Sequence, residues 1–184
     1  MNKIDKSLPN PKSIHTLILD FDGVFTDNKV ILSESGQESV LCSRGDGYAF
    51  NILRAFQKIN NLNINVFILS TEPNQVVAMR AKKLKISCYH GEADKLSFVR
   101  NHLRLSSKSL DGVLFLGNDL NDLALMKEVR FSVSPLDGHP LIRKTADLVM
   151  PYKGGDGFIR AFIELWIGLD NMTEERVNEL ISYC

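Results

Sequence analysis

Short apolar runs rich in β-branched residues alternate along this chain with longer stretches whose apolar residues recur every three or four positions. That alternation marks a parallel sheet covered by helices, because parallel neighbours need a crossover segment and bury both faces of the sheet. Strands are predicted at Thr16–Leu19, Ile64–Leu69, Ile86–Tyr89, Val113–Leu116, Phe131–Val133 and Leu148–Met150. Helices are predicted over 47–58, 74–84, 94–104, 120–128 and 156–168. Pro73 suits the first turn of the second of these, with Thr71 upstream as its cap. The fold class is α/β: a Rossmann-like parallel sheet with helices on both faces.

One section breaks the rhythm. Lys29–Leu32 and Glu38–Cys42 read as two strands joined by Ser33-Glu34-Ser35-Gly36-Gln37, so a small β-hairpin of about 28–43 is inserted between the first strand and the first helix. Residues 1–13 read as a loose polar lead-in, 14–169 as the single domain, and 170–184 as a tail helix opened by the capping pattern Thr173-Glu174-Glu175-Arg176. Lys plus Arg equals Asp plus Glu at 22 each, which leaves no global basic field for nucleic acid. No stretch is long and apolar enough to span a membrane, and the first residues lack the apolar core of a signal peptide. Cys42, Cys88 and Cys184 lie far apart without metal spacing, as expected of reduced thiols in a cytoplasmic protein.

Asp20 and Asp22 emerge together directly after Leu17-Ile18-Leu19. Two carboxylates at the end of a buried strand repel unless a cation or proton compensates them, and Mg²⁺ is the simplest such cation. Ligands of open parallel sheets collect at the carboxyl ends of the strands, and other polar residues fall there too. Ser70, Thr71 and Glu72 follow Ile64–Leu69; Asn118, Asp119 and Asp122 follow Val113–Leu116; Lys95 opens a helix. Carboxylates for a metal, with a hydroxyl and an ammonium for phosphate oxygens, make a set suited to phosphoryl transfer. Other polar residues read more plainly. His139-Pro140 is a loop leading into a helix, and His15, His90 and His102 share no metal spacing. Phe158, Phe162, Ile163 and Trp166 fit one helix face, as core or subunit contact.

With these stretches in order, the chain resembles the haloacid dehalogenase superfamily of phosphatases. The motifs are Asp20-Phe21-Asp22-Gly23-Val24, then Ser70, then Lys95, then Gly117-Asn118-Asp119-Leu120-Asn121-Asp122. The resemblance implies that Asp20 attacks phosphorus to form an aspartyl-phosphate and that Asp22 carries the proton. It further implies that Ser70 and Lys95 hold the phosphoryl oxygens, and that Asp20, the Asp22 main-chain carbonyl and Asn118 hold Mg²⁺. Asp119 and Asp122 would support them. Many relatives have aspartate where this chain has Asn118, whose amide oxygen brings no charge and should hold the metal more weakly.

Only a hairpin fits between Asp22 and Asp46, and only a helix and a strand between Ser70 and Lys95, so no cap domain covers the site. The chain is similar here to the capless group that includes 3-deoxy-D-manno-octulosonate 8-phosphate phosphatase, from about Ile14 to Trp166. That likeness includes Arg44-Gly45-Asp46-Gly47-Tyr48 and Lys153-Gly154-Gly155-Asp156-Gly157. It implies a homotetramer whose hairpins join into a barrel, acting on a sugar acid phosphate of lipopolysaccharide or sialic acid chemistry. The late glycines read either as a turn and helix start or as part of a neighbour's site. Ser70-Thr71-Glu72, where octulosonate enzymes carry Thr-Gly-Arg, favours a nonulosonate 9-phosphate over octulosonate 8-phosphate as the expected substrate. Arg80 and Lys83, three apart on one helix face, are candidates to meet its carboxylate, beside Thr71 and Glu72; a solvated basic face is the other reading. The competing expectation is a catalytically inactive oligomerisation domain like the phosphatase-like end of acylneuraminate cytidylyltransferases.

Overall fold

A computed structural model of the chain describes residues 7–184, so the first part of the predicted lead-in lies outside the described residues. In chain order, β1 (Thr16–Leu19) is followed by a hairpin of β2 (Ile31–Leu32) and β3 (Glu38–Ser39), then α1 (Arg44–Ile59), β4 (Asn65–Leu69), α2 (Gln75–Leu84) and β5 (Ser87–Tyr89). The second half runs α3 (Lys95–Arg104), β6 (Val113–Leu116), α4 (Leu123–Glu128), β7 (Phe131–Ser134), α5 (Pro140–Thr145), β8 (Leu148–Val149), α6 (Phe158–Ile167) and α7 (Glu174–Ser182). The main sheet is wholly parallel, in the order β5-β4-β1-β6-β7-β8.

Strand alternation splits the apolar residues into two cores. Leu17, Leu19, Ile68, Leu114 and Leu116 face α1, α2, α6 and α7, whereas Ile18, Phe67, Leu69, Val113 and Phe115 face α3, α4 and α5. Every residue of β1 and β6 is buried, which is why both read as unbroken apolar runs. The chain builds β1, β4 and β5 outward in one direction, then returns past β1 to build β6, β7 and β8. The loops after β1 and β6 therefore diverge at a switch point, where a crevice opens at the carboxyl ends.

Several local expectations change. Helix α2 is capped by Asn74, whose Oδ1 accepts from Val76 N–H at 3.1 Å, so Thr71 is not its cap and Pro73 precedes it. Helix α5 occupies six residues, too few to show a period, with the His139 ring accepting from Leu141 N–H at 3.2 Å as its cap. The hairpin ladder is two residues long on each side rather than four or five, and Val30, Ile31, Leu32 and Leu41 are all exposed. With a single partner strand and no core beneath it, little extends the ladder. The lead-in is not loose from Leu8 onward: Leu8 packs on the core, Pro9 is buried, and its carbonyl accepts from Trp166 Nε1 at 2.9 Å. Phe158, Phe162, Ile163 and Trp166 are core residues. Thr173 caps α7, as its sequence pattern predicts.

Two of the sequence stretches singled out above meet in space. Asp46, buried in the first turn of α1, accepts from Arg160 N–H at 2.9 Å and Gly157 N–H at 3.3 Å, and so closes the N-terminus of α6. The glycines before α6 lie against the loop after β1. A side chain on Gly154 would overlap the main chain of Gly23, and Gly155 N–H donates to the Val24 carbonyl at 3.0 Å. Within one protomer, then, this segment buttresses the Asp20–Val24 loop.

Candidate functional site

Asp20, Asp22, Ser70, Thr71 and Asn118 converge on one open cavity of about 320 Å³ at the carboxyl ends of β1, β4 and β6. Asp20 leaves β1 with its N–H donating to the Leu116 carbonyl, which ties the loop after β1 to β6. Lys95 reaches in from the first turn of α3, a helix started by Asp94, whose Oδ1 accepts from Ser97 N–H. Its ammonium, 2% exposed as a residue, lies 2.7 Å from Asp20 Oδ1 and 2.7 Å from Asp122 Oδ1. Asp122 in turn accepts from Asn118 N–H at 2.8 Å and Asp119 N–H at 3.2 Å through Oδ2, so one carboxylate holds both the lysine and the loop after β6. Asp119 caps the short turn Leu120–Asp122.

The electrostatics follow from burial. Asp20 is pushed up to about 7, first by its removal from water and then by the Asp122 charge, with Lys95 pulling the other way. Burial alone would lower Lys95, but the two carboxylates together outweigh it and hold the ammonium above its ordinary range. Asp22 is raised by burial first and next by Glu72, with Glu38 adding to the effect. A second cation would relieve this excess of buried negative charge, and the donor set fits one. Asn118 Oδ1 is buried with no hydrogen-bond partner among the described residues. Beside it stand a buried carboxylate and a loop carbonyl, all oxygen donors of the kind Mg²⁺ takes. No group of three His, Cys, Asp or Glu side chains positioned for a metal occurs among the described residues, so the fit depends on amide and main-chain oxygens.

Ser70 is buried, and its Oγ accepts from Glu72 N–H at 3.0 Å, which leaves the hydroxyl proton to be given elsewhere. Thr71 Oγ1 accepts from Asn121 Nδ2 at 3.2 Å, joining the loops after β4 and β6. Glu72 Oε1 accepts from Asn74 N–H at 3.1 Å and faces the start of α2. Arg80 and Lys83 do not line this cavity. Arg80 donates from Nη2 to the Ser43 carbonyl at 2.8 Å, beneath Gly47, and Lys83 is exposed on a separate groove with Met79 and Lys82. Residues outside the predicted set take part. Asn28, in left-handed conformation at φ 63°, and Asn121 line the cavity, and Glu38 of the hairpin accepts from Asn74 Nδ2 at 2.7 Å. Asn121 lies inside the fourth motif and was open to notice, whereas no spacing in the chain points to Glu38.

Comparison with known proteins gives the family and the fold. The family model of haloacid dehalogenase-like hydrolases matches residues 44–162. The 3-deoxy-D-manno-octulosonate 8-phosphate phosphatase KdsC of Yersinia pestis is 30% identical over 162 residues, covering 88% of this chain and 83% of that protein. Its Salmonella typhi counterpart is 29% identical over 171 residues, covering 92% and 88%. Among solved structures, a HAD-family protein of Streptomyces avermitilis superposes with a TM-score of 0.80 at 37% identity, covering 92% of this chain and 95% of that one. The octulosonate 8-phosphate phosphatase of Moraxella catarrhalis, solved with a magnesium ion, a phosphate ion and a KDO molecule, superposes with a TM-score of 0.78 at 26% identity, covering 88% and 90%.

Proposed function

The chain belongs to the haloacid dehalogenase-like hydrolase family, and on that premise we propose that it is a Mg²⁺-dependent phosphatase of a phosphorylated 2-keto-3-deoxy sugar acid. The observation that carries this reading is the buried Lys95 ammonium held between Asp20 and Asp122, beside the unpartnered Asn118 amide oxygen. A site retained only for assembly has no reason to keep three buried charged side chains in contact, since burying them is costly.

In this mechanism the substrate phosphate enters the cavity and meets the Ser70 hydroxyl and the Lys95 ammonium, which hold its non-bridging oxygens. Asp20 attacks phosphorus and forms an aspartyl-phosphate as the ester oxygen leaves. Asp22 gives that oxygen a proton, then takes one from the water that hydrolyses the intermediate. Its burial, and next the charges of Glu72 and Glu38, favour the protonated form needed for the first step. Asp20, the Asp22 main-chain carbonyl and Asn118 would hold Mg²⁺, which when bound supplies positive charge against the phosphoryl oxygens. Asp122 positions Lys95, and Asp119 shapes the turn that presents Asn118.

Similarity to octulosonate 8-phosphate phosphatases supports the eight-carbon acid as first substrate, which reverses the order drawn from Ser70-Thr71-Glu72 alone. Sialic acid 9-phosphate is the second reading, kept because Glu72, in place of the cation of the octulosonate enzymes, suits sugar hydroxyls or an amine. The exposed Val30, Ile31 and Leu32 support a homotetramer joined through the hairpins. Phosphate release from octulosonate 8-phosphate, sialic acid 9-phosphate and its deaminated analogue, each with Mg²⁺, tests the proposal. Turnover of one of them that disappears in Asp20→Asn is expected; turnover of none, or turnover surviving that substitution, overturns it.

A further inference from the structure

At the opposite end of the sheet from Asp20, the N-terminal ends of β4 and β5 open into a hollow of about 600 Å³. Its wall carries three cations, Arg54, Lys85 and Lys108, and not one aspartate or glutamate. Four cations elsewhere take carboxylate partners at the surface: Lys29 with Asp27, Arg100 with Glu128, Arg160 with Glu164 and Arg176 with Glu179. Among the described residues, none of the three cations of the hollow forms an ion pair. The half-buried Arg54 guanidinium is held by neutral acceptors alone, the Leu84 carbonyl at 3.0 Å and Asn51 Oδ1 at 2.5 Å.

Local structure explains two of these charges. Lys85 ends α2 in left-handed conformation at φ 57°, where a cation suits the helix C-terminus. Arg54 from α1 donates to the last carbonyl of α2, whereas nothing local explains why Lys108, from the turn after α3, faces the same space. Like charges around one concavity repel, and the low-dielectric wall strengthens the field inside it. An anion entering there is attracted by all three. Phe50 and Leu53 lie buried against it and Leu105 is exposed beside it, while Gln57, Asn65 and Ser87 add polar groups. A volume in the range of small-molecule sites, a largely polar lining and a cationic wall together describe a pocket for a small anion.

We propose that this hollow binds a phosphorylated small metabolite, at a site separate from the cavity beside Asp20. The two are joined by β4, whose first residue, Asn65, lines the hollow and whose end leads to Ser70, about 16 Å away at strand rise. The inference is independent of the phosphatase reading, since it uses no residue of that site.

Calorimetry on the full chain carrying Asp20→Asn, in buffer freed of divalent cations, tests it with AMP as probe and with inorganic phosphate and neutral adenosine as comparisons. AMP should bind saturably with Kd of about 1 mM or tighter, and adenosine about tenfold more weakly. The double charge reversal Lys85→Glu with Lys108→Glu, at two exposed positions, should weaken AMP about tenfold or more, and Arg54→Gln should weaken it as well. Ser70→Ala, in the other cavity, should leave it within about twofold. The proposal is overturned if none of the three probes binds at millimolar concentration, if adenosine binds as well as AMP, or if the loss follows Ser70→Ala rather than the charge reversals.

Discussion

Gly23 and Asn118 occupy mutually exclusive space: a Cβ on Gly23 would stand 2.6 Å from Asn118 Cγ, and Gly23 has a φ of +73°. The loop that carries Asp22 and the loop that carries the candidate amide ligand can approach only because residue 23 has no side chain. Gly23→Ala should therefore displace Asn118, reduce activity about tenfold or more, and destabilise the fold by about 1–3 kcal/mol. Gly36→Ala is the control, because Gly36 is also left-handed at φ +79° but has nothing within 4 Å. It should lose about 1–2 kcal/mol and no activity. Denaturant unfolding and initial rates separate the two cases; equal activity losses would refute the assignment.

Asn118→Asp adds a charge beside Asp20. The Mg²⁺ concentration for half-maximal activity should fall, about tenfold being the scale for one added ligand charge at 1–2 kcal/mol. Without metal the same variant should unfold more easily, since a third carboxylate joins Asp20 and Asp122. An unchanged Mg²⁺ requirement would mean that residue 118 does not touch the metal.

The raised Asp20 makes metal-free stability depend on pH with a definite sign. Its folded value of about 7 lies above the ordinary 3.8, so between these the folded protein retains a proton that the unfolded chain has released. Stability from this group is full below about pH 4 and is lost as pH rises through about 7. In thermal unfolding without metal, Asp20→Asn should therefore gain on the parent protein as pH rises from about 5 to 8. Mg²⁺ should raise the parent Tm more at the upper end of that range. A difference between the two proteins that stays constant with pH would contradict the assignment.

Asp46 predicts a purely structural effect. Removing its carboxylate by Asp46→Ala leaves Gly157 N–H and Arg160 N–H at the start of α6 unmet, at a cost of about 2–3 kcal/mol. Asp46→Asn, which keeps an acceptor, should lose about half as much. Urea unfolding measures both, and KM should stay unchanged in whatever fraction remains folded.

The fully buried strands were legible almost to the residue. Thr16–Leu19 and Val113–Leu116 are apolar runs ended abruptly by polar groups, and burial on both faces leaves no alternation to mislead. Asp20, Lys95 and Asp122 could be read as companions because each stands at the end of such a strand or the start of the helix after it. Elements held by a few contacts were not legible to the same degree. Thr71 and Pro73 suggest the start of α2 in the sequence, whereas Asn74, of a stronger capping type, caps it, and α5 is too short to display a period. Arg80 and Lys83 share a helix face, but the rotation of α2 against the sheet, which buries Val77, Ala81 and Leu84, turns Arg80 toward α1.

By itself the sequence determined which chemical groups this protein has, which secondary element each belongs to, and that several stand at strand ends. Those properties depend on periodicity and caps, which act over a few neighbouring residues. Only the tertiary structure decided that Asp46 meets an amide 111 residues away, that Glu38 of the hairpin meets Asn74 at the start of α2, and that Arg54, Lys85 and Lys108 surround one hollow without a counter-charge. Such meetings depend on the order of strands in the sheet and the packing of helices on it, and no local pattern along the chain encodes either.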